Sequence, residues 1–102
     1  MTSDLRYMPT RIEVRAGEIV SFVNDSSEVH TVTATQSELP AGATFFASGG
    51  FDGEKAARSD IAAGFIEEGG KYEVTLDEPG TYPYFCVPHE ASGMKGTIVV
   101  TE

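Results

Sequence analysis

Apolar residues recur at every second position in this chain, in runs too short for helices, and such a pattern points to an all-β fold. Ile12 and Val14 share one face of residues 10–15. Ala16-Gly17 then makes a turn, and residues 18–24 (EIVSFVN) are rich in β-branched and aromatic side chains. Asp25-Ser26-Ser27 is a second turn signal. In residues 29–35, His30, Val32 and Ala34 lie on one side. Tyr72, Val74 and Leu76 do the same in 71–77, and Tyr82, Tyr84 and Cys86 in 81–86, across a Glu78-Pro79-Gly80 turn. Residues 96–101 form a last strand. The middle third, 36–66, is rich in Gly, Ala and Ser, with Phe45, Phe46, Phe51, Phe65 and Ile66 as anchors and room for one or two helical turns over Glu54 to Ile61. Seven or eight short strands separated by turns predict a sandwich or barrel. A chain of 102 residues without internal repeats fits one domain, 1–102.

The residues with metal chemistry are few and clustered. There is one cysteine, so no disulfide can form within the chain, and there are two histidines. Cys86, His89 and Met94 stand at C-x2-H-x4-M spacing on the loop between the strands predicted at 81–86 and 96–101. Such a loop folds its own ends toward one point. His30 stands on a strand distant in sequence that a sandwich can bring alongside. Each residue alone would ordinarily be read as core or as a satisfied polar group. Together they supply two imidazoles, a thiolate and a thioether, the donor set of a blue-copper electron-transfer site. Soft sulfur favours Cu(I), and imidazole suits both oxidation states. Zinc is a second reading, but it gains little from a thioether. Nucleophilic catalysis by a Cys–His pair is a third, and no oxyanion-hole pattern accompanies it. Met1 and Met8 lack the loop context that would make them axial candidates.

Sixteen acidic against seven basic residues give a net charge of −9. That charge repels phosphate backbones, which argues against nucleic-acid binding, and favours partners with a positive patch. No apolar run approaches the length of a membrane span. Residues Met1 to Met8 lack the basic-then-apolar order of a secretory signal.

Several segments resemble the plastocyanin-like branch of the cupredoxins, the small type 1 copper proteins. They are Tyr7-Met8-Pro9 with IEVRAGEIVSFVN (12–24), Val29-His30-Thr31-Val32, Gly80 to His89 (GTYPYFCVPH), and Gly93 to Val100 (GMKGTIVV). The resemblance implies an eight-stranded Greek-key β-sandwich with one copper ion near one end. His30, Cys86 and His89 would be the strong ligands and Met94 the long axial one. It implies an electron carrier, not an enzyme, that docks its redox partners at the exposed edge of His89. Around that edge Val87, Pro88, Ala91 and Gly93, with Leu39 and Pro40, would form an apolar patch. It further implies a monomer outside the cytoplasm, in a periplasm, a thylakoid lumen or at a cell surface, with its export segment removed. A copper storage or delivery protein, and the electron-entry domain of a larger copper oxidase or nitrite reductase, are the alternatives. Three features depart from the pattern. Thr31 stands where many members carry Asn, and its hydroxyl is expected to tie the two ligand segments together in part. Phe85 replaces the tyrosine that serves plastocyanins as a second electron port. The acidic residues Glu38, Glu54, Asp60, Glu67 and Glu68 are dispersed, unlike a plant protein's contiguous patches, which suggests a bacterial or archaeal relative. Asn24 is expected to bond the backbone of the His30 loop.

Overall fold

In a computed structural model, which describes residues 1, 6–7 and 10–102, the alternating segments pair as two sheets. The strands are β1 (Arg11–Arg15), β2 (Ile19–Val23), β3 (Thr33–Ala34), β4 (Lys71–Thr75), β5 (Gly80–Phe85) and β6 (Lys95–Thr101), with one helix, α1 (Glu54–Ser59), between β3 and β4. Met8 and Pro9 of the opening motif lie outside the described residues. One sheet has the order β1-β6-β5-β3, and β2 pairs with β4 in the other. β1 runs parallel to β6, while β5 pairs antiparallel with both β6 and β3.

The period-2 pattern decides what the sheets bury. Val20 and Phe22 of β2 turn inward while Ile19 and Val23 face solvent. They meet Tyr82 and Tyr84 of β5 and Ile98 and Val100 of β6 in one core cluster, joined by Tyr72, Val74, Leu76, Ile12 and Val14. Tyr84 stands edge-on to Tyr7 and Phe22, with ring centroids 4.7 and 5.1 Å apart, an arrangement that suits the aromatic quadrupole. The Tyr84 ring folds over Gly96, its cross-strand neighbour, where a Cβ would collide with it.

Six strands form among the described residues, fewer than the eight expected, and the shortfall has a physical reason. Residues 29–32, 45–48 and 65–67 contribute single bridges, His30 to Ile66 and Thr33 to Ala47. Side chains there bond backbone groups beside, or in place of, ladder partners. Ser48 Oγ accepts from the Val32 N–H at 3.1 Å, and Asn24 Nδ2 donates to the Ile66 carbonyl at 2.7 Å. The expected helical turns are α1 and a 3₁₀ segment, Ile61–Gly64. Of the five anchors in this third, Phe46 and Ile66 are buried, Phe45 and Phe51 are half-buried, and Phe65 is exposed.

Candidate metal centre

His30 is placed by a loop that Asn24 folds. The Asn24 amide donates to the carbonyls of Glu28 and Ile66, at 2.8 and 2.7 Å, and its oxygen accepts from the N–H and hydroxyl of Ser26. The expected bond from Asn24 to this loop is therefore present. The His30–Ile66 bridge, with its two backbone bonds, fixes the main chain on the other side. Thr31 is held by the Tyr7 hydroxyl, which donates to its carbonyl at 2.5 Å.

The other candidates ride on a loop that closes on itself. The His89 N–H donates to the Cys86 carbonyl, the Met94 N–H to the His89 carbonyl, and the Cys86 N–H to the Met94 carbonyl at 3.0 Å. A 3₁₀ turn, Glu90–Ser92, ends at Gly93, whose φ of 83° is the left-handed conformation that lets the chain reverse toward Met94. Thr31 then stitches the segments together. Its Oγ1 accepts from the Val87 N–H at 2.8 Å, and its own N–H donates to Cys86 Sγ at 3.3 Å. The hydroxyl tie expected of Thr31 is present.

Between the segments, donor atoms of His30, Cys86 and His89 lie within 4.8 Å of one another. Nδ1 faces the sulfur from both rings, at 3.9 Å for His30 and 3.4 Å for His89. The ring centroids of the two histidines are 5.1 Å apart. His30 and Cys86 are fully buried, His89 is half-buried and the Met94 side chain is buried. Burial pushes the Cys86 thiol up, and the Thr31 N–H is the first of the groups that pull it back. A buried thiolate needs a positive charge beside it, and a metal ion supplies one. Two nitrogens and one sulfur, closely grouped and shielded from water, fit copper by donor type. Met1, by contrast, packs in the core cluster with its ammonium on the Val23 carbonyl, and Met8 lies outside the described residues.

One expectation about the surface is corrected. Val87, Pro88, Ala91 and Gly93 lie on the same loop as His89, but Pro40 does not join them. It packs where a Cβ on Gly80 would stand, at the start of β5, roughly 20 Å from Cys86 at ~3.3 Å per residue. Leu39 is half-buried against the core cluster.

Sequence reasoning passed over two neighbours of the site. Ser26, read as a turn residue, places its Oγ 3.1 Å from His30 Nε2. Arg58 of α1 bonds Glu90 and covers the Phe85 ring, and no local pattern announces a contact across 32 positions. The N-x-S spacing before the histidine was the only available sign of the first.

Residues 1–101 match the family of copper binding proteins described as plastocyanin/azurin. A plastocyanin of Scenedesmus fuscus is 35% identical over 96 residues, covering 94% of this chain and 87% of that one. Among solved structures, a pseudoazurin from Sinorhizobium meliltoi is 32% identical with a TM-score of 0.66, and the match covers 93% of this chain but only 60% of the pseudoazurin. The oxidized plastocyanin of Dryopteris crassirhizoma is 27% identical with a TM-score of 0.65, covering 94% and 88%.

Proposed function

The chain belongs to the plastocyanin/azurin family of copper-binding proteins, and on that premise we propose that it carries single electrons between larger redox partners through one type 1 copper held by His30, Cys86, His89 and Met94. It is an electron carrier of the cupredoxin fold and not an enzyme. The copper, cycling between Cu(I) and Cu(II), supplies the redox change.

The chain's own residues supply rigidity and access. Thr31 and the backbone ties of Cys86, His89 and Met94 hold the donors at fixed spacing, so a change of charge meets little reorganisation. The observation that carries the reading is the grouping of one ring nitrogen from each imidazole with the thiol sulfur, all within 4.8 Å of one another, with both Nδ1 atoms facing that sulfur. The Met94 thioether would supply the fourth donor: its side chain is buried and its main chain bonds both Cys86 and His89.

Partners dock at the half-buried His89, over a loop surface with Val87, Pro88, Ala91 and Gly93 and no formal charge at those positions. An apolar contact of this kind permits close approach and quick release. Among the described residues no helix is long and apolar enough to cross a membrane. The kinship with plastocyanins supports a single-domain monomer working outside the cytoplasm, in a periplasm, a thylakoid lumen or at a cell surface.

The test is to add Cu(II) to the pure apoprotein and record the visible spectrum. A strong thiolate-to-copper charge-transfer band is expected, and it should be lost in Cys86→Ser. A colourless one-to-one complex would overturn the reading.

A further inference from the structure

The far side of the His30 ring meets a built chain of polar groups that the ligand set does not include. Asn24, Ser26 and His30 are all buried, at 0%, 5% and 0% exposure. Their hydrogen bonds have a direction that can be read from proton inventory alone. Asn24 turns one end of its amide toward two carbonyl oxygens, those of Glu28 and Ile66, which only accept. That end is the NH₂ group, so Oδ1 faces Ser26. Oδ1 can only accept, and it takes the Ser26 N–H at 3.0 Å and the Ser26 hydroxyl at 2.7 Å. The hydroxyl has a single proton. Once that proton is directed at Asn24, with the Glu28 carbonyl at 3.2 Å beside it, Oγ has only lone pairs left for its other neighbours. Those neighbours are the Glu28 N–H at 3.3 Å and His30 Nε2 at 3.1 Å.

We propose that Ser26, oriented by Asn24, is a positioning residue that accepts a hydrogen bond from His30 Nε2–H and so fixes the tautomer whose Nδ1 lone pair points at the Cys86 sulfur and the metal. The inference rests on the copper reading above and adds to it a residue that prepares the ligand before any ion arrives. Two consequences follow from the chemistry of the bond. The ring is locked in rotation from its back edge, which slows ligand loss. The bond to Oγ also leaves more electron density on the ring, making Nδ1 a better donor to the more highly charged ion. Ser26 therefore favours Cu(II) over Cu(I).

The first test needs no variant and no metal. Two histidines are present, so long-range ¹H–¹⁵N correlation spectra of ¹⁵N-histidine apoprotein at neutral pH resolve two rings. The His30 ring is expected in the Nε2–H form, and an Nδ1–H form would overturn the proposal. The second test compares Ser26→Ala with Ser26→Thr, which keeps the hydroxyl. Ser26→Ala should release copper to a chelator about 10-fold faster or more, and its reduction potential should move upward. Ser26→Thr should stay near the parent on both. A folded Ser26→Ala protein with the parent's release rate and potential would sink the idea. If wild type fails to develop the copper band, the carrier reading falls, while the apoprotein spectra still decide the tautomer. If Ser26→Ala does not fold, those spectra decide alone.

Discussion

Arg58 and Glu90, 32 positions apart, meet in a two-bond fork, with Nη1 2.7 Å from Oε1 and Nη2 3.0 Å from Oε2. The same guanidinium donates to Glu54 at 2.9 Å and lies 4.5 Å above the Phe85 ring. Phe85 precedes Cys86 and Glu90 follows His89, so one side chain of α1 grips the ligand loop on both flanks. The pair is partly exposed, and exposed pairs contribute little each. The fork geometry and the ring contact raise the expectation to about 1 kcal/mol. Arg58→Ala should lose about that much in urea unfolding of the apoprotein. A double-mutant cycle with Glu90→Gln should show a coupling that shrinks as salt is added. Strict additivity at low salt would mean that the fork does not operate in solution.

Thr31 bears on stability through one buried acceptor. Its Oγ1 satisfies the Val87 N–H at 2.8 Å. Thr31→Val keeps the shape and deletes the acceptor, so that N–H loses its partner. The expected cost is about 1–3 kcal/mol in thermal or urea unfolding, the penalty for an unsatisfied donor. Because the bond joins the His30 segment to the Cys86 loop, the visible band of the copper form should also shift. A variant as stable as the parent would show that the hydroxyl is dispensable.

Pro88 follows Val87 in the loop and has no N–H to offer the Cys86 sulfur, which already accepts from the Thr31 N–H at 3.3 Å. Pro88→Ala adds a donor two residues from the thiolate. More hydrogen bonding to that sulfur favours Cu(II), so the reduction potential should fall. Protein-film voltammetry of the two proteins decides the sign, and an unchanged or higher potential in the variant refutes the argument.

The tyrosines set an alkaline limit. Burial pushes the Tyr72 phenol up to about 12 from its ordinary 10.0, and burial pushes Tyr82 upward too, with Glu78 and Asp77 adding to it. The folded chain thus keeps protons that the unfolded chain releases. Their contribution to stability is complete below about pH 10 and is lost as the pH rises toward 12. In Cys86→Ser, which removes the buried thiol's own titration, urea midpoints should be level to about pH 10 and then fall, and adding Tyr72→Phe should flatten part of that fall. Absorbance at 295 nm should show phenolate appearing together with unfolding. Free titration of all four tyrosines near pH 10 in a folded protein would contradict this.

Much of this molecule can be read without coordinates. The inward faces of β1, β4, β5 and the interior of β2 follow from alternation, because a side-chain period of two leaves one face for the core. Tyr82, Tyr84 and Cys86 were expected on one face, and all three are in the core cluster. The loop Cys86 to Met94 is equally legible, since its donors and Gly93 lie within nine residues whose backbone bonds are local. Other features depend on contacts that no local pattern encodes. The bridge of His30 to Ile66, the hold of Arg58 on Glu90, and the seat of Pro40 on Gly80 far from the metal end each join residues more than 30 positions apart. The order of strands set those meetings, and the hydrogen-bond direction from Asn24 through Ser26 to His30 became readable only when the Ile66 carbonyl was brought against the Asn24 amide. A sequence specifies which groups can donate, accept or ligate; the folded chain decides which of them face each other, because partner choice is a matter of distance in space.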